Sequence, residues 1–169
     1  IQTFEQIIEQ GFVYVDKTDM VYSLATEGKV YFLSRPRRFG KSLLLSTLRA
    51  YFEGRKELFK GLKIDALEKE WHPHTIFHFD FNGENFSLPG ALDDCLNVYL
   101  TRWERAYQIE SIENESLGSR FETILKVATE KNGRGAVVLV DEYDKPLLDV
   151  LEQNPELMAR NRETLKAFY

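Results

Sequence analysis

Gly40, Lys41 and Ser42 close the run Arg35-Pro36-Arg37-Arg38-Phe39-Gly40-Lys41-Ser42. A glycine lets the backbone pass close to an anion with no side chain between them. A lysine there reaches the β- and γ-oxygens of a polyphosphate, and a serine hydroxyl joins the shell of a Mg²⁺ ion. The triplet is the second half of the phosphate-loop pattern G-x-x-x-x-G-K-[ST]. Where that pattern has its first glycine, this chain has Arg35. Alone the triplet says little, because residues this common produce it in roughly one chain in ten of this length by chance. Its place between an apolar run, Val30–Leu33, and a strongly apolar helical pattern after Lys41 gives it weight. The free N–H groups and positive dipole end of a helix beginning there face an anion.

The candidate phosphate-contacting residues are Arg35, Pro36, Arg37, Arg38, Phe39, Gly40, Lys41, Ser42 and Leu43. Three guanidinium groups beside Lys41 offer bidentate phosphate contacts, transition-state charge stabilisation, or a dock for an acidic partner. A solvated basic loop that needs no ligand is an equal alternative for them. Pro36 stiffens the loop by setting φ near −65°.

One hundred residues after Lys41, the apolar run Ala136–Val140 ends in Asp141-Glu142. Open α/β sheets bind ligands at the carboxyl ends of their strands. Asp141 is a candidate Mg²⁺ ligand with Ser42. Glu142 is a candidate base that orients and activates a water for attack on a γ-phosphate, with Lys41 as its catalytic partner. Polar loops put one acid after a strand easily; two in succession after five apolar residues are harder to explain that way.

Helices and strands must hold these groups in place. Thr3-Phe4-Glu5-Gln6 is a capping box that opens a short helix, Phe4–Gln10, stopped near Gly11. Phe12–Val15 is extended. Asp16 or Thr18 caps a second helix to Glu27. Val30–Leu33 reads as a strand, and Lys41–Glu53 as a helix whose apolar face includes Leu44, Leu48 and Tyr51. Lys56–Glu70 is a short helix plus loop. Thr75–Phe81 is a strand, Ala91–Glu110 and Leu117–Lys131 are helices, and Ala136–Val140 is a strand buried on both faces. Pro146 opens a helix and Asn154-Pro155 another. Strands alternating with helices predict an α/β domain with a mostly parallel sheet.

The composition fits that architecture. With 169 residues, 43% hydrophobic and 29% charged, the chain has the size and balance of one globular domain. The lone Cys95 excludes an internal disulfide and fits a cytoplasmic, reducing setting. No apolar run approaches the ~20 residues of a membrane helix, so no membrane partner is expected. A net charge of −5 argues against a general nucleic-acid coat, although a local basic patch remains compatible with one. A start at Ile1 and few residues after Asp141 lead us to expect a trimmed, C-terminally incomplete domain: 1–29 an N-terminal helical and extended segment, 30–169 the nucleotide-binding core.

A strand between the phosphate loop and the Asp141 strand, with a glutamate beside the aspartate, is similar to the branch of phosphate-loop NTPases that holds the AAA-type ATPases. That favours ATP over GTP. Tyr14-Val15-Asp16-Lys17-Thr18, the run Phe32–Ser42 and Val140-Asp141-Glu142-Tyr143-Asp144-Lys145-Pro146-Leu147 resemble the predicted AAA-ATPase-like family of prokaryotes. The resemblance spans nearly the whole chain and makes the missing first glycine a family trait. It implies a P-loop NTPase three-layer α/β/α sandwich, ATP and Mg²⁺ as ligands, and Mg²⁺-dependent ATP hydrolysis in the intact protein. It also implies a PD-(D/E)xK nuclease-like domain as a following partner. Two alternatives stay open: a nucleotide-dependent switch with little hydrolysis, and the ATPase module of a nucleic-acid-handling, nuclease-linked protein.

Other polar residues divide between roles. Asp144 is either a supporting site residue or a helix cap ahead of Pro146. Asp80 is a site residue or a turn former. Asp16 and Thr18 are helix caps more readily than base contacts. His72, His74 and His78 do not complete a zinc set, because residues i and i+4 of a strand lie about 13 Å apart. Cys95, Trp71, Phe77, Phe79, Phe81, Tyr99 and Trp103 read as packing residues.

Overall fold

The computed structural model describes residues 3–34, 40–110, 112–151 and 154–168. The chain divides into two compact units, Ile1–Ile76 and Phe77–Tyr169. It is α/β, mostly helical, with a small parallel sheet. No described helix is long and apolar enough to cross a membrane.

The first unit is built from short helices. The capping box at Thr3 forms as its residue types require: Thr3 Oγ1 accepts the Gln6 N–H at 3.4 Å and Gln6 Oε1 accepts the Thr3 N–H at 3.1 Å. It opens α1 (Phe4–Glu9). Helix α2 (Thr18–Glu27) follows, then α3 (Lys41–Phe52), a 3₁₀ turn (Lys56–Phe59) and α4 (Lys63–Leu67). They close over Phe4, Val21, Ala50, Leu58, Phe59 and Ile64. The Ser46 hydroxyl accepts the Phe4 N–H at 3.0 Å, which ties α1 to the middle of α3.

The second unit carries the sheet. Strand β1 (Ile76–Asp80) opens at the boundary, followed by α5 (Ala91–Tyr107), α6 (Leu117–Asn132), β2 (Val137–Asp141), α7 (Lys145–Leu148) and α8 (Pro155–Phe168). The two strands pair directly. Helices α5 and α6 form the crossover that a parallel pair demands, since a two-residue turn cannot bring a strand back in the same direction. Phe77, Phe79 and Phe81 line the core with Leu92, Leu96 and Leu100 of α5 and Phe121 and Ile124 of α6. Gly118 permits close approach of α6 and α8: a Cβ on it would sit 2.7 Å from the Ala167 carbonyl oxygen.

Two expectations change. Val30–Leu33 is no strand: it has no ladder among the described residues, and Val30 and Phe32 are 90% and 71% exposed. An apolar run becomes a strand only when another strand takes its N–H and C=O groups, and the described sheet consists of β1 and β2 alone. β2 is also less covered than a strand buried on both faces, with Val138 38% exposed. It has one strand neighbour in the described sheet. The described sheet thus has two strands within an α/β chain.

Candidate functional site

The phosphate-type residues belong to the first unit. Gly40 is the N-cap of α3 at φ 79°, the left-handed region that glycine occupies without steric penalty. Among the described residues, chain neighbours aside, no atom lies within 4 Å of where a Cβ on Gly40 would sit. Lys41, Ser42 and Leu43 form the first turn of a 12-residue helix, and that turn contains no acidic residue. Roughly half a positive charge gathers at such an end, together with N–H groups that no helical carbonyl can reach. A left-handed glycine at a helix start whose first turn carries no acidic residue is compatible with a phosphate group. The back of the turn is held firmly. The Leu43 carbonyl accepts the hydroxyls of Ser46 and Thr47 at 2.9 and 2.8 Å, and its side chain packs on the first unit's core. Leu43 thus serves packing through its side chain. Arg35, Pro36, Arg37, Arg38 and Phe39 lie outside the described residues.

The acid pair belongs to the second unit. Asp141 ends β2 and is 9% exposed, and its carbonyl accepts the Phe81 N–H at 3.2 Å. Glu142 follows at φ 52°, in the left-handed region. For a residue with a Cβ this costs about 1–2 kcal/mol. Its N–H donates to Asp141 Oδ1 at 3.0 Å, and its carbonyl accepts the Lys145 N–H at 3.0 Å. The chain therefore turns sharply at the strand end, and the two carboxylates leave the backbone from different conformations. Burial, followed by the Asp144 and Glu142 charges, pushes the Tyr143 hydroxyl above its usual range.

Asp144 stands at the N-cap of α7, but its side chain makes no capping hydrogen bond. Its Oδ1 is buried with no hydrogen-bond partner. Lys145 turns its ammonium to Asp149 at 2.6 Å. An orphaned carboxylate oxygen three residues from Asp141 suits a divalent cation, whose ligands are oxygens. Among the described residues no three His, Cys, Asp or Glu side chains are grouped to hold a metal ion. A nucleotide-bound Mg²⁺ needs no such group, since phosphate oxygens and waters supply most of its ligands.

The remaining candidates have structural partners. Asp16 accepts the Thr18 N–H and hydroxyl at 2.9 and 2.7 Å and the Lys63 N–H at 2.8 Å. Thr18 is fully buried and its Oγ1 accepts the Ile64 N–H at 3.1 Å. The N-cap position of α2 is Lys17, without a side-chain capping hydrogen bond, so the expected cap moves by one residue; Asp16 and Thr18 instead hold the start of α4 against α2. Asp80 accepts the Asn82 N–H at 2.8 Å and forms the turn after β1. Burial, with Glu84 adding, pushes the Cys95 thiol up to about 11, so it stays protonated and packs on the second core. His72 and His74 line a cavity of about 230 Å³ with Tyr51, Glu68, Glu70 and Trp71. That cavity lies by the C-terminal end of α3, whereas Gly40 and Lys41 are at its start. Asp149 escaped the sequence reading. Its signal is the i,i+4 spacing from Lys145, which puts the two on one helical face.

The whole chain, residues 1–169, matches the family model described as Predicted AAA-ATPase. An uncharacterized protein in the vnfD 5' region of Azotobacter chroococcum mcd 1 is similar to it, 39% identical over 170 residues. The match covers 100% of this chain and 33% of that relative, so the chain spans about a third of the relative's length. No solved structure matches the chain.

Proposed function

The chain belongs to the predicted AAA-ATPase family, and on that premise we propose that it is the ATP-binding domain of a P-loop ATPase that hydrolyses ATP with Mg²⁺ in the intact protein. The observation that supports this most directly is the start of α3: left-handed Gly40, followed by Lys41 and Ser42 in a first turn with no acidic residue. In this reading the backbone at Gly40 and the α3 dipole bind phosphate oxygens. The Lys41 ammonium pairs with the β- and γ-phosphates and stabilises charge that develops between them. On the family reading, Ser42 and Asp141 would each serve as a Mg²⁺ ligand, with the Asp144 carboxylate as a supporting acceptor. The chemistry the ion would supply is neutralisation of charge on the transferring phosphoryl group. Glu142 orients the attacking water and takes its proton.

Two variants of the intact protein test the assignment. Lys41→Ala is expected to abolish nucleotide binding. Glu142→Gln is expected to retain binding and stop turnover. Unchanged ATP affinity in Lys41→Ala overturns the phosphate-site assignment. Phosphate release measured in a single turnover separates hydrolysis from a switch that only binds.

A further inference from the structure

Within the run Asp141-Glu142-Tyr143-Asp144-Lys145-Pro146, Lys145 has no part in the chemistry proposed above. Its contacts are specific. Nζ donates to Asp149 Oδ2 at 2.6 Å and to the Glu84 carbonyl, and lies 5.4 Å from the centre of the Phe86 ring. The same Asp149 oxygen accepts the Phe86 N–H at 3.1 Å. One ammonium and one carboxylate thus join the stretch leaving β1, residues 82–90, to the stretch leaving β2, residues 142–149. An exposed i,i+4 pair on a helix is worth little. Here the Lys145 and Asp149 side chains are only 26% and 24% exposed, and a backbone carbonyl, a backbone N–H and a fully buried aromatic ring complete the cluster.

Both stretches lead back to the acid pair. The Phe86 ring packs edge-on against Phe81 at 5.6 Å, and Phe81 donates its N–H to the Asp141 carbonyl. The Lys145 N–H closes the turn onto the Glu142 carbonyl at 3.0 Å. Beside it, buried Asn161 donates Nδ2–H to the Pro146 carbonyl at 2.9 Å, pinning α7 to α8. A left-handed glutamate persists only where the surrounding structure over-determines it. Released, its backbone relaxes and its carboxylate moves.

We propose that Lys145, through Asp149, is a positioning residue that holds Glu142 in its left-handed turn and so aims the catalytic carboxylate. The inference rests on the reading of Glu142 as the base. In the intact protein, Lys145→Met keeps the aliphatic stem and removes the charge. It is expected to leave ATP affinity within about twofold of wild type and to lower kcat by roughly tenfold or more, the scale on which small misplacements act. Lys145→Arg restores part of the loss. Asp149→Asn keeps an acceptor for the Phe86 N–H but not the ion pair, and gives the same kcat loss even if Lys145→Met folds poorly. Hydrogen exchange in 82–90 and 142–145 speeds up together in Lys145→Met.

Wild-type kcat in well-folded Lys145→Met and Asp149→Asn overturns the proposal while leaving the hydrolysis reading intact. So does a kcat loss that Lys145→Arg does not relieve at all. A wild-type protein that binds ATP without turnover overturns the hydrolysis reading, and the positioning role with it.

Discussion

Arg120 forks onto Glu104 within the second unit, Nε to Oε1 and Nη2 to Oε2 both at 2.7 Å, and Glu104 is only 3% exposed. Two further guanidinium hydrogens reach Asn97 Oδ1 at 2.6 Å and Thr101 Oγ1 at 3.1 Å. A planar fork meeting a planar carboxylate satisfies both groups at once, which a lysine could not do. The network clamps α6 to α5, the crossover that sets β1 beside β2.

Arg120→Ala is therefore expected to destabilise the protein by about 3–5 kcal/mol, because it strands a buried carboxylate. Replacing both partners with leucine is expected to cost much less, since no charge is then left without a partner. Denaturant unfolding of the two variants measures the difference. A loss below about 1 kcal/mol in Arg120→Ala would place the pair in the class of solvated surface bridges.

Gly118→Ala sets two effects against each other. Alanine favours a helix over glycine by up to about 1 kcal/mol. The added Cβ, however, lies 2.7 Å from the Ala167 carbonyl oxygen, a backbone atom that cannot swing aside. Overpacking of that kind costs about 1–3 kcal/mol, so the net effect is a lower melting temperature. A rise in Tm would mean that α6 and α8 stand further apart than 2.7 Å of clearance allows.

Asp16 makes the first unit sensitive to acid. Burial alone would raise its pKa, but the hydrogen bonds from Thr18 and Lys63 outweigh that and hold the carboxyl below its ordinary value. A lowered folded-state pKa adds stability that is present in full above the unfolded value, near 4, and fades as pH falls through the folded value. Asp16→Asn is expected to weaken the protein at neutral pH, and the gap from wild type is expected to close progressively below about pH 4. Unfolding curves across that range read the gap directly. A gap that stays constant with pH would remove the charge from the explanation.

The local parts of this structure could be read from the chain. Thr3 and Gln6 form their capping box because both partners lie within one turn. Gly40 and Gly133 sit where helices begin and end, and the apolar spacing of Leu92, Leu96 and Leu100 faces α5 inward. Distant relations could not be read. Asp16 was legible as a residue at the start of α2, yet its hold on Lys63 spans 47 positions. Lys145 reads as a surface charge until Glu84 and Phe86, some sixty positions earlier, close around it. Val30–Leu33 has the composition of a strand, but composition does not supply the neighbour a strand needs.

The sequence by itself determined the helices, the two strands, the residues beside the α3 start and the acid pair, because caps, turns and periodicity depend on residues within a few positions of each other. Only the tertiary structure decided that Glu142 lies in the left-handed region, that Asp144 keeps a buried oxygen without a donor, and that Lys145 faces Asp149 rather than the acids. Burial, charge pairing and backbone strain are relations between segments far apart in the chain, and they acquire values only once packing brings those segments together.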